Sequence, residues 1–156
     1  MTLATSSGEG RRSRVAAASR VVFRMSSERV PSVQPTVLVV EDEWLLRWAL
    51  AQKLASAGYK VVEAGDAREA LAQFDVQPDA VDAVLLDLRL PDADGMSVLQ
   101  HVKAVRPACP VIIMTAHGSA ENAGDALAAG ASCFLTKPFD HEAMLALLGD
   151  VIDGKA

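Results

Sequence analysis

Five short apolar runs, each bounded by Gly, Pro or Asp and each followed by a stretch with helical spacing, constrain the fold of this chain more than any other feature. The runs are Thr36–Val40, Lys60–Ala64, Ala83–Asp87, Val111–Thr115 and Cys133–Thr136, and the spacing predicts helices over 44–57, 67–74, 97–105, 120–129 and 141–152. Strands that alternate one for one with helices imply a parallel sheet, because parallel neighbours need crossover connections. The expected fold class is therefore α/β: a doubly wound, five-stranded parallel sheet with helices on both faces. Val84-Leu85-Leu86 and Val111-Ile112-Ile113-Met114 run apolar without alternation, as strands covered on both sides do. In the first helix Leu46, Leu50, Leu54 and Ala57 share one face, Trp48 falls off it, and Trp44 is expected near the acidic pocket formed after the first strand. Gly58, Gly130 and Pro107 are expected to stop helices.

In such a sheet the functional crevice lies beyond the carboxyl ends of the strands, where strand order reverses. Glu41-Asp42-Glu43 follows the first strand, Asp87 ends the third, Thr115 ends the fourth and Lys137-Pro138 follows the fifth; Glu63-Ala64-Gly65, at the second, is left outside the candidate site. Crowded carboxylates repel unless a cation joins them, and hard oxygen ligands with room for water suit Mg2+. Lys137 offers a point charge for a phosphate, and Thr115 offers a hydroxyl donor. These are the parts of an acyl-phosphate centre, a carboxylate nucleophile with cations to neutralise the transferring group. Asp87 is the leading nucleophile, since a charged residue closing an apolar run is seldom placed there for stability. Taken singly, each acid reads more simply as a turn residue or helix cap, and Asp92, Asp94 and Gly95 are assigned to loop chemistry. Complementary groups at four strand ends carry the site.

Residues 1–35 are rich in Ser, Ala and Arg without a sustained apolar period, which predicts a disordered or weakly helical extension before a domain at 36–156. Residues 1–30 carry +4 and the remainder −9, within a net −5. Three readings of this basic extension stay open: a solvated native tail, translation that truly starts at Met25, and a targeting segment. The acidic balance argues against a nucleic-acid surface. No apolar stretch approaches the ~20 residues of a bilayer-spanning helix. The expected location is cytoplasmic, with neither nucleic acid nor membrane as a direct partner. Cys109 and Cys133 lack metal-ligand spacing and are read as buried thiols of a reducing compartment; His101, His117 and His141 form no ligand set and are read as surface or loop residues.

Four segments in order, Val-Leu-Val-Val-Glu-Asp-Glu (37–43), Leu-Leu-Asp-Leu-Arg-Leu-Pro-Asp-Ala-Asp-Gly (85–95), Met-Thr-Ala-His-Gly-Ser (114–119) and Phe-Leu-Thr-Lys-Pro-Phe (134–139), strongly resemble the CheY-like receiver domains of two-component response regulators. The likeness covers the chain from Thr36 onward, and the 115–119 motif is similar to receivers of NtrC-like activators. The resemblance implies strand order 2-1-3-4-5 and makes Asp87 the acceptor of a phosphoryl group from a sensor histidine kinase or histidine phosphotransfer protein. It implies Mg2+ held by Asp42, Asp87 and the main-chain carbonyl of Arg89, with Glu41, which stands where many receivers have Asp, acting mostly through water. Thr115 and Lys137 would contact the phosphoryl group, and Thr115 with Phe134 would form the switch. Ala116 would leave the phosphoryl group accessible, and Arg89 and His117 match positions that tune its lifetime. The Lys137-Pro138 peptide is usually cis in the family. A receiver is no enzyme in the ordinary sense: it catalyses only its own phosphotransfer and dephosphorylation.

Competing functions are weaker. A phosphatase of the haloacid-dehalogenase type would need an acid two residues after the nucleophile, where Arg89 stands. A flavin-binding flavodoxin relative would bring its phosphate against Glu41-Asp42-Glu43. A receiver used purely as an interaction module, or one cut from a longer regulator, stays open. The chain ends at Ala156 with no helix-turn-helix or ATPase segment, so a complete chain is expected to signal by binding a downstream protein through the 120–152 surface.

Overall fold

Val, Leu and Ile at consecutive positions leave a strand no polar face, so such strands are stable only when covered on both sides. β1 (Thr36–Val40), β3 (Ala83–Asp87) and β4 (Val111–Thr115) meet this demand at the centre of one parallel sheet, in which β2 (Lys60–Ala64) and β5 (Cys133–Thr136) are the partly exposed edges and the order is β2-β1-β3-β4-β5. The structure, a computed structural model, describes residues 34–116 and 120–154. The expectations for residues 1–33 and for His117 lie outside the described residues. All five strands have their expected bounds, and the order is the one the resemblance implied.

The helices are α1 (Trp44–Ser56), α2 (Ala67–Val76), α3 (Gly95–Val105), α4 (Ala120–Ala128) and α5 (His141–Ile152), with a 3-10 turn at Pro78–Ala80. Side chains alternate across each strand. Leu38 and Val40 of β1 therefore pack with Phe74 of α2, Val98 and Leu99 of α3 and Ala126 of α4, while Val37 and Val39 pack with Leu50 and Leu54 of α1 and Met144 and Leu148 of α5. Every residue of β3 and β4 is buried. Each large aliphatic side chain so placed contributes roughly 1.5–3 kcal/mol relative to exposure.

Helix ends show where local chemistry overrides apolar spacing. Ala57 caps α1 exposed to solvent instead of joining the apolar face, because Gly58 turns the chain with a φ of 98°. α2 continues past Phe74 to Val76, which is 82% exposed and so leaves no apolar signal. α3 starts two residues earlier than expected: Asp94 accepts the Met96 N–H at 3.0 Å as N-cap, which makes Gly95 helical and not a loop residue. α4 ends at Ala128, one residue earlier than expected.

The start of α2 is capped by two carboxylates. Asp66 accepts the Glu69 N–H at 2.7 Å, and Asp92, from the loop after β3, accepts the N–H groups of Ala67 at 2.8 Å and Arg68 at 3.0 Å. Those backbone bonds, Ala67 first, hold the Asp92 carboxyl below its ordinary pKa. Arg106 is buried at the end of α3 and donates to the carbonyl oxygens of Pro78, at 3.1 Å, and Val81. Both cysteines are free; Cys109 is buried, but Cys133 is only half-buried because it lies on the edge strand β5, correcting the expectation of two buried thiols. Burial nonetheless raises the Cys133 thiol pKa. Among the described residues, no helix is long and apolar enough to cross a membrane.

Candidate functional site

Strand register assembles the site. Val40 lies beside Leu86, Asp87 beside Met114 and Thr115 beside Thr136, so the residues that follow or close these strands converge at one edge of the sheet around Asp87. Ligand atoms of Glu41, Asp42 and Asp87 all lie within 4.8 Å of one another. Lys137 Nζ donates to Glu41 Oε1 at 2.5 Å and to Asp87 Oδ2 at 2.7 Å. The other Asp87 oxygen, Oδ1, accepts the Arg89 N–H at 2.9 Å, and Glu41 Oε2 accepts the Glu43 N–H at 3.3 Å. The Lys137–Pro138 peptide is cis.

Glu41 and Asp87 are buried, whereas Asp42 faces solvent. Burial raises the Glu41 carboxyl from 4.5 to about 7; the Lys137 hydrogen bond opposes the rise and the Asp87 charge adds to it. Burial lowers Lys137, yet its hydrogen bonds to Asp87 and Glu41 outweigh that effect and hold the ammonium above its ordinary pKa. Three carboxylates facing one ammonium leave an excess of negative charge with oxygen ligands only, and a hard divalent cation such as Mg2+ fits that donor set. Glu41 is a direct partner of Lys137, a contact that the resemblance left unspecified.

Gly95 completes the floor. A Cβ there would sit 2.6 Å from both the Asp87 carbonyl oxygen and Leu88 Cα, so the start of α3 can press against the backbone of the Asp87 turn only without a side chain. Its N–H donates to the Leu88 carbonyl oxygen at 2.8 Å.

Thr115 is buried at the same edge, with Oγ1 3.5 Å from the Leu135 carbonyl oxygen, while its own carbonyl oxygen accepts the Lys137 N–H at 2.7 Å. Phe134 does not join the cluster: the residue is 42% exposed on β5. Trp44 and Trp48 are 67% and 53% exposed on α1. Beside Lys137 a cavity of about 430 Å³ opens between Glu43, Leu46, Ala116, Phe139 and His141. Sequence reasoning left out Arg47, whose Nη1 donates to the Glu41 carbonyl oxygen at 2.7 Å and whose Nε lies 3.3 Å from Glu63 Oε1. Glu63 sits on the one strand end that had been set aside, and its acidity was the available signal.

A doubly wound parallel sheet that gathers acids around one strand-end aspartate, with a lysine bridging two of them, defines a class of strand-edge acidic-site α/β domains. Comparison with known proteins narrows the class: residues 37–149 match the family model of the response regulator receiver domain, and the chain belongs to that family. It is 38% identical over 120 residues to the transcriptional regulatory protein GlrR of Escherichia coli (strain K12), covering 77% of this chain and 27% of GlrR. It is 41% identical over 112 residues to ZraR of the same organism, covering 72% of this chain and 25% of ZraR. The chain thus spans about a quarter of the length of these curated relatives. Among solved structures, a receiver domain protein from Clostridium thermocellum superposes with a TM-score of 0.74 at 30% identity, covering 78% of this chain and 96% of that one. NtrX from Brucella abortus gives 0.73 at 31% identity, covering 78% of this chain and 28% of that one.

Proposed function

We propose that this receiver takes a phosphoryl group onto Asp87 from a sensor histidine kinase or histidine phosphotransfer protein, and that phosphorylation changes its binding to a downstream protein. The observation that carries the reading is Lys137 Nζ set 2.7 Å from Asp87 Oδ2, with Asp42 and Glu41 grouped around the same carboxylate. A carboxylate oxygen of Asp87 attacks phosphorus, the bond to the donor's imidazole nitrogen breaks, and the donor leaves with that electron pair. Lys137 neutralises charge on the transferring oxygens, the Arg89 N–H orients the nucleophile, and the Thr115 hydroxyl supplies a donor to one phosphoryl oxygen. Mg2+, held by Asp42, Asp87 and the Arg89 carbonyl with Glu41 behind, would supply charge neutralisation for the same oxygens. The protein catalyses only its own phosphorylation and dephosphorylation.

Incubation with a small acyl phosphate should add one phosphoryl mass to the parent only when Mg2+ is present, and Asp87→Asn should abolish the gain. An Asp87→Asn protein that gains the same mass as readily as the parent would overturn the assignment.

A further inference from the structure

The acidic loop after β1 is gripped by several groups, and one of them has no part in the chemistry above. Arg47 lies in the first turn of α1, with a side chain 22% exposed. Its Nη1 donates to the main-chain oxygen of Glu41 at 2.7 Å, while its Nε faces the Glu63 carboxylate at the end of β2. The Glu41 N–H donates to the Ala64 carbonyl oxygen at 3.0 Å, and its carboxylate accepts from Lys137 and from the Glu43 N–H. Every polar group of Glu41 is therefore engaged, and Asp42, the next residue, takes its place from that grip. Gly65 belongs to the same arrangement, since a Cβ there would lie 3.2 Å from Arg47 Nη1.

A guanidinium presents its donors in one rigid plane and so fixes the directions of the carbonyl and the carboxylate it holds, whereas the donors of an ammonium rotate. A half-exposed pair such as Arg47–Glu63 contributes little to stability by itself, so its consequence here is directional: Glu63 aims the fork at Glu41.

We propose that Arg47 is a positioning residue for divalent-cation binding: by holding the Glu41 carbonyl it sets the Asp42 carboxylate where it meets Asp87, and Glu63 orients its guanidinium. The inference rests on the reading of the cluster as a Mg2+ site. Removing Arg47 has two effects of opposite sign. Loss of a positive charge near the acids favours a divalent cation, whereas loss of the carbonyl anchor disfavours it. Groups that orient metal ligands typically change affinity by about 10–100-fold, and a solvent-screened charge changes it less. Weaker binding is therefore the expected net result.

The test is calorimetric titration of the full chain with Mg2+ alone, before any phosphoryl donor, for the parent, Arg47→Met and Arg47→Lys. Arg47→Met should bind about 10-fold more weakly. Arg47→Lys, which keeps the charge and loses the fork, should also bind more weakly than the parent. At saturating Mg2+ the Arg47→Met phosphorylation rate should return to within about twofold of the parent, a recovery that a merely destabilised protein would not show. Equal or tighter Mg2+ binding by folded Arg47→Met overturns the inference and leaves the metal site standing. A parent that binds no Mg2+ overturns the site and the inference together. Should Arg47→Met fail to fold, Arg47→Lys decides, because it keeps the charge and the aliphatic stem and loses only the fork: weaker Mg2+ binding supports the positioning role, and unchanged binding ends it.

Discussion

Without a divalent cation, the domain should become more stable as the solution is acidified from about pH 8 to about pH 6, and Glu41 should be the cause. Its carboxyl is raised from 4.5 to about 7 in the folded state by burial, with Lys137 opposing and Asp87 adding to the rise. Between those two values the folded domain holds a proton that the unfolded chain has released, so this contribution is greatest below the unfolded pKa and is lost as pH rises through the folded one. At 1.36 kcal/mol per unit, the step from about pH 8 to about pH 6 is worth about 1.3 kcal/mol. Solvent at the open edge of the cluster screens the charges and brings this to about 1 kcal/mol, or roughly 4 °C in melting temperature for a domain of this size. The assay is thermal melting by circular dichroism in chelator, at both pH values, for the parent and Glu41→Gln. The parent should melt higher at the lower pH. Glu41→Gln, a neutral isostere, should lose most of that difference and should melt above the parent near pH 8; the histidines are common to both proteins and cancel. Saturating Mg2+ should flatten the parent's slope, because a cation bound to the ionised acids stabilises the fold where the proton does not. The same slope in Glu41→Gln as in the parent would refute the reasoning.

Asp42→Asn should weaken Mg2+ binding more than Glu41→Gln, since Asp42 faces the opening whereas Glu41 is already paired with Lys137; titrations followed by Trp fluorescence would show equal or reversed losses if this order is wrong. Gly95→Ala should destabilise the domain by roughly 1–3 kcal/mol, because the new Cβ meets backbone atoms that cannot swing aside. A melting temperature equal to the parent's would show that the α3 start moves freely. Thr115→Ala should still accept phosphate but show much smaller amide-shift changes over residues 120–152 by NMR than the parent. Full-sized shifts at matched phosphorylation would mean that the signal bypasses the hydroxyl.

The central strands were legible because burial on both faces leaves a continuous apolar run, and the acids and lysine were legible because each follows or closes a strand. The start of α3 was not, since Asp94-Gly95 spells a turn locally and only the close approach of Gly95 to the Asp87 backbone explains why a poor helix former opens a helix. The end of α2 carries Val76 into solvent and so breaks the apolar spacing that delimits the other helices. Arg47 with Glu63, and Asp92 with the α2 start, join residues whose separation along the chain exceeds any local window. Such pairings depend on strand order, which the residues alone left to the resemblance.

The pair of hydrogen bonds that Asp92 accepts from the start of α2 gives the domain a built-in reporter. First-turn amides have no partner within their own helix and exchange readily with solvent deuterium. Those of Ala67 and Arg68 are shielded instead by a carboxylate borrowed from the loop that follows the Asp87 strand. Their exchange therefore responds to excursions of that loop as well as to fraying of the helix, so two amides remote in sequence from Asp87 report on the segment beside it.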